Sequence, residues 1–148
     1  LSTDIIVGFP TETADEYEDT FLAMRDIRFD FAFIFKYSER KGTHAARKLK
    51  DDVTPQDKTD RIVRLDELQK QITGEINETY IGKTVEVLVE EEPTKHPGMI
   101  GGRSETYKNT VFEKGDHRIG DLVHVEIERS RGSGLFGRVT ERNDGHVG

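Results

Sequence analysis

The 148 residues suffice for one domain or two small ones, and a net charge of −7, from 22 Lys and Arg against 29 Asp and Glu, argues against a nonspecific nucleic-acid binder. The chain has no Cys and its His residues lack metal-ligand spacing, so it predicts no disulfide framework and no metal ligand. No apolar run approaches the ~20 residues of a membrane-spanning helix and no targeting segment opens the chain, so we expect a cytoplasmic protein without membrane contact.

The beginning of the chain predicts a strand–helix–strand unit. A β-branched run at 4–8 indicates a buried strand. Thr13 and Glu16 fit a capping box, and apolar residues at helical spacing extend the helix over 14–28. A second strand is predicted at 31–35, parallel to the first because the connections are short. A buried strand rarely opens a domain and the sequence starts without Met, so we expect a fragment of a longer chain.

A long helix and then a change of periodicity mark the rest of the chain. Thr54 as N-cap and Pro55 at the first helical position begin a helix predicted over 55–79. From Tyr80 the apolar residues alternate, and turn residues separate short strands that together predict a small closed antiparallel barrel. The strands are predicted at 84–90, 99–103, 108–112, 121–128 and 135–140. The predicted domains are thus 1–79 and 80–142, followed by a frayed tail at 143–148.

Two loops at the carboxyl ends of the parallel strands form a first candidate site. Proteins with α/β folds bind ligands at such strand ends, where Gly8 lets a ligand approach the backbone and the capped helix offers free N–H groups. The second segment, 35–43, adds cationic, aromatic and hydroxyl groups at the end of the next strand. Taken alone, the first loop is better explained as a capped turn and the second as a solvated loop. Two such loops on adjacent strands nevertheless favour a binding site.

Cations interleaved with aromatic residues form a second candidate site, on the barrel. Aromatic rings stack on unpaired bases and cations contact phosphates, so this composition favours single-stranded or looped RNA as the ligand. The predicted RNA contacts are Arg103, Lys108, Arg131 and Arg138. Phe112 and Phe136 are better interpreted as core residues, and the alternative for the remaining set is an ordinary polar surface.

Four segments together resemble the radical-SAM tRNA methylthiotransferases of the MiaB type. They are STDIIVGFPTET, FAFIFKYSERKGTHAARK, LQKQITGEINETYIGKTVEVLVE and GRSETYKNTVF, and they follow the family's order and spacing. The resemblance implies an α/β region made of the last βα units of a partial (β/α) barrel, then a long helix. A five-stranded antiparallel TRAM domain would follow, which is an OB-like RNA-binding barrel.

The resemblance also implies an activity for the complete enzyme. The family adds a 2-methylthio group to N6-isopentenyladenosine next to the tRNA anticodon, using S-adenosylmethionine and two 4Fe–4S clusters. Its cluster ligands are Cys residues, which this chain lacks, so we expect no catalytic residue here and no activity from the fragment alone. The expected partners are S-adenosylmethionine and a tRNA anticodon stem-loop, bound by a monomer.

Two strand-end motifs contribute to the S-adenosylmethionine pocket in the family. The residues that match GFPGET are Gly8, Phe9, Pro10, Glu12 and Thr13, and those that match YSxRPGT are Tyr37, Ser38, Arg40, Gly42 and Thr43. Thr11 and Lys41 stand where the family usually has Gly and Pro. Two alternatives stay open, namely a methylthiotransferase that modifies an aspartate of a ribosomal protein and a stand-alone RNA-binding module.

Overall fold

A computed structural model describes residues 1–92 and 95–140. Its elements in chain order are β1 (Ser2–Val7), α1 (Ala14–Ile27), β2 (Phe31–Lys36), α2 (His44–Lys48), α3 (Pro55–Glu78), β3 (Thr84–Glu91), β4 (Met99–Ser104), β5 (Asn109–Glu113), β6 (Leu122–Arg131) and β7 (Gly134–Val139). The chain divides into two compact units, one over Leu1–Thr73 and one that starts at Gly74. In the part of the chain that is described, no helix is long and apolar enough to cross a membrane.

In the first unit, β1 and β2 pair in parallel and α1 connects them, as the sequence predicts. The register aligns Ser2 with Phe31 at one end of the ladder. One face of this sheet packs against helical side chains and forms the core of the unit. The buried members of that core are Val7 from β1, Tyr17 and Met24 from α1, and Leu65 from α3.

The opposite face of this sheet is exposed, which corrects the expectation of a buried first strand. Ile6, Phe33 and Phe35 are each more than half exposed. Side chains alternate between the two faces of a strand, and the described helices contribute to the core on one face only. The apolar run that predicts β1 therefore contains both core residues and exposed ones.

Side-chain caps begin the helices. Thr13 and Glu16 form the predicted capping box of α1, in which the Glu16 N–H donates to Thr13 Oγ1 at 3.1 Å. Thr54 caps α3 as predicted, accepting the Asp57 N–H at 3.1 Å. α2 is an element that the sequence analysis missed. Its five residues are too few to display helical periodicity, although Thr43 caps it.

The second unit contains a closed barrel with the strand order β3–β4–β5–β7–β6. The five predicted strands are all present, with their ends shifted by a few residues. The alternation in β6 buries Val123, Val125 and Ile127, and these side chains pack in the barrel interior with Phe112. The barrel core is thus built from the alternating pattern that the sequence displays.

One pairing corrects the prediction of an antiparallel barrel, because β5 and β7 run parallel. Directions that alternate around a ring must repeat once when the number of strands is odd. A closed barrel of five strands therefore needs at least one parallel pair. The ladder at this place, which we call the β5–β7 seam, pairs Thr110 with Leu135 and Val111 with Phe136.

The division of the chain into two units falls within the sequence of α3, between Thr73 and Gly74, whereas the periodicity of the sequence changes at Tyr80. The predicted division into 1–79 and 80–142 therefore stays a prediction. The frayed tail predicted at 143–148 lies outside the described residues.

Candidate cofactor pocket and RNA-binding surface

The loops that follow β1 and β2 line an open pocket of about 510 Å³. Among the residues that line it are five of those predicted to bind the cofactor, namely Phe9, Tyr37, Ser38, Arg40 and Thr43. The rings of Phe9 and Tyr37 meet edge to face with their centroids 5.3 Å apart. The structure therefore brings residues of both predicted motifs to one pocket.

Lys58, near the start of α3, packs against both loops. Its Nζ lies 2.6 Å from Asp51 Oδ2, 3.4 Å from the carbonyl oxygen of Tyr37 and 5.3 Å from the centre of the Tyr37 ring. A Cβ at Gly8 would collide with the Lys58 side chain, and Gly8 also has a φ of +73°. Glycine is therefore required at this position for two independent reasons.

Glu12 fixes the shape of the first loop. Its Oε1 accepts the Gly8 N–H at 2.9 Å and lies 2.6 Å from Nη1 of Arg61. Arg61 Nη1 also donates to the Glu12 carbonyl oxygen at 3.3 Å. Both side chains are largely buried, so salt screens this ion pair less than a surface pair. These contacts indicate that Glu12 positions the loop, while cofactor binding by Glu12 stays a prediction.

The two threonines of the motifs use their hydroxyls within the protein. Thr13 Oγ1 donates to Glu16 Oε1 at 3.0 Å as part of the capping box. Thr43 Oγ1 donates to the Arg40 carbonyl oxygen at 2.8 Å and accepts the Ala46 N–H at 3.2 Å. Of these two threonines, Thr43 lies in the lining of the pocket. Both residues thus set the direction in which a loop enters a helix.

Thr11 adopts the left-handed backbone conformation, with a φ of +75°. This conformation is unfavourable for a β-branched residue and is normally left to glycine. The Thr11 N–H donates to Asp52 Oδ1 at 2.7 Å, a contact that holds the strained residue in place. The loop therefore keeps the shape that the Gly of the family motif would favour, although Thr occupies the position.

The sequence analysis missed Lys58 and Arg61 as members of this site. A signal was present, because these residues occupy positions three apart on the stripe of α3 that also includes Ile62 and Leu65. Cations on an otherwise apolar helical stripe indicate buried polar partners. The partner of Arg61, Glu12, is 49 residues away, and Lys58 reaches the Tyr37 carbonyl oxygen 21 residues away, so these contacts become apparent only in the fold; Asp51, the other partner of Lys58, is a near neighbour in sequence.

Two neighbouring ionisable side chains of α1, those of Tyr17 and Glu18, form hydrogen bonds with α3. Burial raises the pKa of Tyr17, so its hydroxyl stays protonated and donates to the Arg61 carbonyl oxygen at 3.0 Å. Glu18 accepts two hydrogen bonds from Arg64, at 2.6 and 3.1 Å, and these lower the pKa of Glu18 below its ordinary value. Tyr17 therefore acts as a neutral donor, whereas Glu18 is a carboxylate on the surface.

The pocket contains groups that fit S-adenosylmethionine. The rings of Phe9 and Tyr37 suit an adenine, the Ser38 hydroxyl suits a polar substituent, and the Arg40 guanidinium suits a carboxylate. An iron–sulfur cluster fits less well, since its usual ligands are thiolates and the chain has no Cys. Within residues 1–92 and 95–140, no three His, Asp or Glu side chains are grouped so as to hold a metal ion.

Three of the predicted RNA contacts lie toward one end of the barrel. Arg103 is paired with Asn109 beside the β4–β5 turn, and Arg131 with Gly134 beside the β6–β7 turn. Arg103 and Arg131 are exposed, whereas Lys108 is only 3% exposed. An ammonium so deeply buried cannot reach a phosphate in solution without moving, so the structure argues against Lys108 as a direct contact.

Arg138 lies apart from the other predicted contacts, farther along β7. Its guanidinium is 3.5 Å from a carboxylate oxygen of Glu126 and 3.5 Å from one of Glu128. Phe112 and Phe136 are both buried, but of the two Phe112 alone belongs to the core cluster inside the barrel, whereas Phe136 packs outside that cluster. The sequence analysis missed Arg129, whose guanidinium carbon lies over the Phe136 ring at 4.6 Å from its centre.

Comparisons with known proteins agree with this arrangement. Residues 78–140 match the TRAM domain family. The chain is 41% identical over 141 residues to the tRNA-2-methylthio-N(6)-dimethylallyladenosine synthase of Porphyromonas gingivalis, covering 95% of this chain and 30% of the relative. It is 42% identical over 145 residues to the protein of the same name from Prosthecochloris aestuarii (98% and 33%) and 42% identical over 137 residues to that from Phocaeicola vulgatus (93% and 30%).

These similarities confirm the resemblance that the four sequence segments indicate. The chain spans about a third of the length of the curated relatives it matches. All three relatives are named for a tRNA modification, and none is named for a ribosomal protein.

Proposed function

From the premise that residues 78–140 belong to the TRAM domain family, we propose that the chain is part of a tRNA methylthiotransferase. The complete enzyme adds a 2-methylthio group to N6-isopentenyladenosine next to the anticodon. It uses S-adenosylmethionine and two 4Fe–4S clusters, and the cluster ligands come from Cys residues outside this chain. In this proposal, residues 1–79 contribute to the cofactor pocket and residues 80–142 bind the tRNA anticodon stem-loop.

The observation that carries the proposal is the shared pocket of the two strand-end loops. The Arg40 guanidinium binds the carboxylate of S-adenosylmethionine, and the rings of Phe9 and Tyr37 contact its adenine. S-adenosylmethionine supplies the methyl group and the radical chemistry when it is bound. Lys58 and Glu12 act indirectly, because their contacts hold the loops that present these groups.

A chimeric enzyme tests the activity. In the chimera, this chain replaces the matching segment of the Porphyromonas gingivalis relative, so the rest of that enzyme is retained. We expect the 2-methylthio nucleoside in tRNA from cells that carry the chimera as their sole source of the activity, measured by mass spectrometry. A folded chimera that binds both clusters but leaves tRNA unmodified would contradict the proposal.

The same chimera tests the cofactor pocket. Arg40→Ala should raise the S-adenosylmethionine concentration needed for half-maximal activity by about tenfold, the usual size of a lost charged hydrogen bond. Arg47→Ala is the matched control, since Arg47 is exposed on α2 and is not among the residues that line the pocket. Equal responses of the two variants would remove Arg40 from the site.

The alternatives are distinguished by substrate. A methylthiotransferase that modifies a ribosomal protein would modify an aspartate-containing peptide and not tRNA, whereas a stand-alone RNA-binding module would leave the chimera inactive. The names of the relatives favour tRNA. We also propose that the chain is a cytoplasmic monomer, and size-exclusion chromatography with light scattering tests the oligomeric state.

A further inference from the structure

The β5–β7 seam opens into a groove. Its parallel ladder has two residue pairs, the second being Val111 with Phe136. Beyond that pair, β5 stays paired with β4 up to Glu113, and β7 stays paired with β6 up to Val139. The two strands therefore continue on different partners, and an open cavity of about 580 Å³ is lined by residues from both.

One side of the groove is formed by Arg129, whose guanidinium group stacks on the Phe136 ring. The guanidinium carbon of Arg129 lies 4.6 Å from the centre of the Phe136 ring, and the His96 ring meets the same phenyl group edge to face at 5.4 Å. Phe136 is 8% exposed, whereas Arg129 is exposed and lines the groove. The aromatic ring thus holds a planar cation at the surface, where it can stack on a base.

The charges of the groove favour a base over a run of phosphates. Glu113 and Glu128 line it together with Arg129, Arg138 and His117. Arg138 is itself 3.5 Å from Glu128, so its charge is partly offset. Carboxylates repel phosphates but accept hydrogen bonds from the amino groups of bases, while guanidinium groups donate to base carbonyl and ring nitrogen acceptors.

We propose that this groove binds one unpaired nucleobase of the RNA, stacked against Arg129 and hydrogen-bonded at its edge by the Arg and Glu side chains. The inference rests on the proposed function, since it presupposes that the barrel binds RNA. An unpaired base is required because bases within an A-form duplex are stacked on their neighbours and paired at their Watson–Crick edges, so their faces cannot stack on a side chain. The groove also gives Arg138 a role separate from that of Arg103 and Arg131.

The test uses the full 148-residue chain and two labelled RNAs, a hairpin with a single-stranded loop and a blunt duplex of the same stem. We expect the wild-type chain to prefer the hairpin. Arg129→Ala should weaken hairpin binding by about tenfold, the loss expected for one stacking contact, and should lower the preference over the duplex. Arg129→Lys keeps the charge but loses the planar group, so it should retain duplex binding while losing hairpin affinity.

Two controls accompany the titrations. Lys83→Ala removes an exposed cation of the same unit that is not among the residues lining the groove, and it should leave the hairpin preference unchanged. Thermal melting followed by circular dichroism establishes that each variant is folded. A hairpin with 2-aminopurine at an unpaired loop position should change its fluorescence on binding the wild-type chain, and Arg129→Ala should abolish that change.

The outcomes separate this inference from the proposed function. A wild-type chain that binds neither RNA overturns RNA binding by the barrel and the groove assignment together. Hairpin binding that is unchanged in folded Arg129→Ala and Arg138→Ala overturns the groove assignment alone and leaves Arg103 and Arg131 as the proposed RNA contacts. A hairpin preference lost in Arg129→Ala and Arg129→Lys but kept in Lys83→Ala supports the groove.

Discussion

The sheet of the first unit has one covered face, whereas the barrel of the second unit encloses an apolar core. Phe33 in β2 is 57% exposed, while Phe112 in β5 is fully buried, although both are phenylalanines within strands. The first unit also relies on individual polar contacts, such as those of Lys58 and Arg61 with the loops. The comparison indicates that apolar packing dominates in the barrel, and that single ion pairs matter more in the first unit.

The largest expected effect comes from the barrel core. Phe112→Ala should lower the free energy of unfolding by about 3–5 kcal/mol, because it leaves a cavity among packed side chains. Phe33→Ala is the matched variant in the first unit and should change the free energy of unfolding by no more than about 0.5 kcal/mol. Urea denaturation followed by circular dichroism measures both, and similar losses for the two variants would contradict the contrast between the units.

An intermediate effect is expected where the first unit depends on an ion pair. Glu12→Gln should lower the free energy of unfolding by about 1–3 kcal/mol, because it leaves the largely buried Arg61 without its carboxylate. Glu39→Gln, in the exposed loop after β2, is the control and should have almost no effect. If the two variants are equally stable, the Glu12–Arg61 contact does not stabilise the loop.

A gain of stability is expected at the strained loop position. Thr11→Gly should raise the free energy of unfolding by about 1 kcal/mol, because glycine relieves the left-handed conformation of a β-branched residue. The reciprocal change Gly42→Thr introduces the same strain at a φ of +88° and should lower the free energy of unfolding by a similar amount. The denaturant midpoints of both variants are compared with that of the wild type. A Thr11→Gly chain less stable than the wild type would show that the strain is compensated by other contacts.

The smallest effect is expected for the surface pair of Glu18 and Arg64. Arg64 lowers the pKa of Glu18 in the folded state, so the contribution of the pair is present above the ordinary Glu pKa and is lost as the pH falls through the lowered value. Glu18→Gln should therefore melt slightly below the wild type near neutral pH, and the two melting temperatures should converge in acid. A difference that persists at low pH would point to another cause.

Local signals in the sequence predict much of this fold. The Thr13 capping box, the Thr54–Pro55 helix start and the alternation of β6 each depend on residues close together in the chain, and each is present in the structure. The motif residues at the strand ends also come together at one pocket, because the carboxyl ends of adjacent parallel strands are neighbours.

The features that the sequence does not predict depend mainly on contacts that form in the fold. Neither the partners of Lys58 and Arg61 nor the burial of Lys108 follows from local pattern. The exposure of one face of the β1–β2 sheet is not predicted either, since an apolar run does not indicate which face of a strand a helix will cover. The short ladder between β5 and β7 depends on how the whole barrel closes.

The parallel pairing at the β5–β7 seam follows from the odd number of strands and not from particular side chains. A closed barrel of five strands keeps at least one parallel pair whatever its side chains are, so a substitution that leaves the barrel closed does not remove such a pair. Side chains around the opening can diverge through evolution while the opening keeps its place in the fold. An engineer who wishes to redirect this barrel to a different ligand could therefore vary the residues at the seam and leave the closure of the barrel intact.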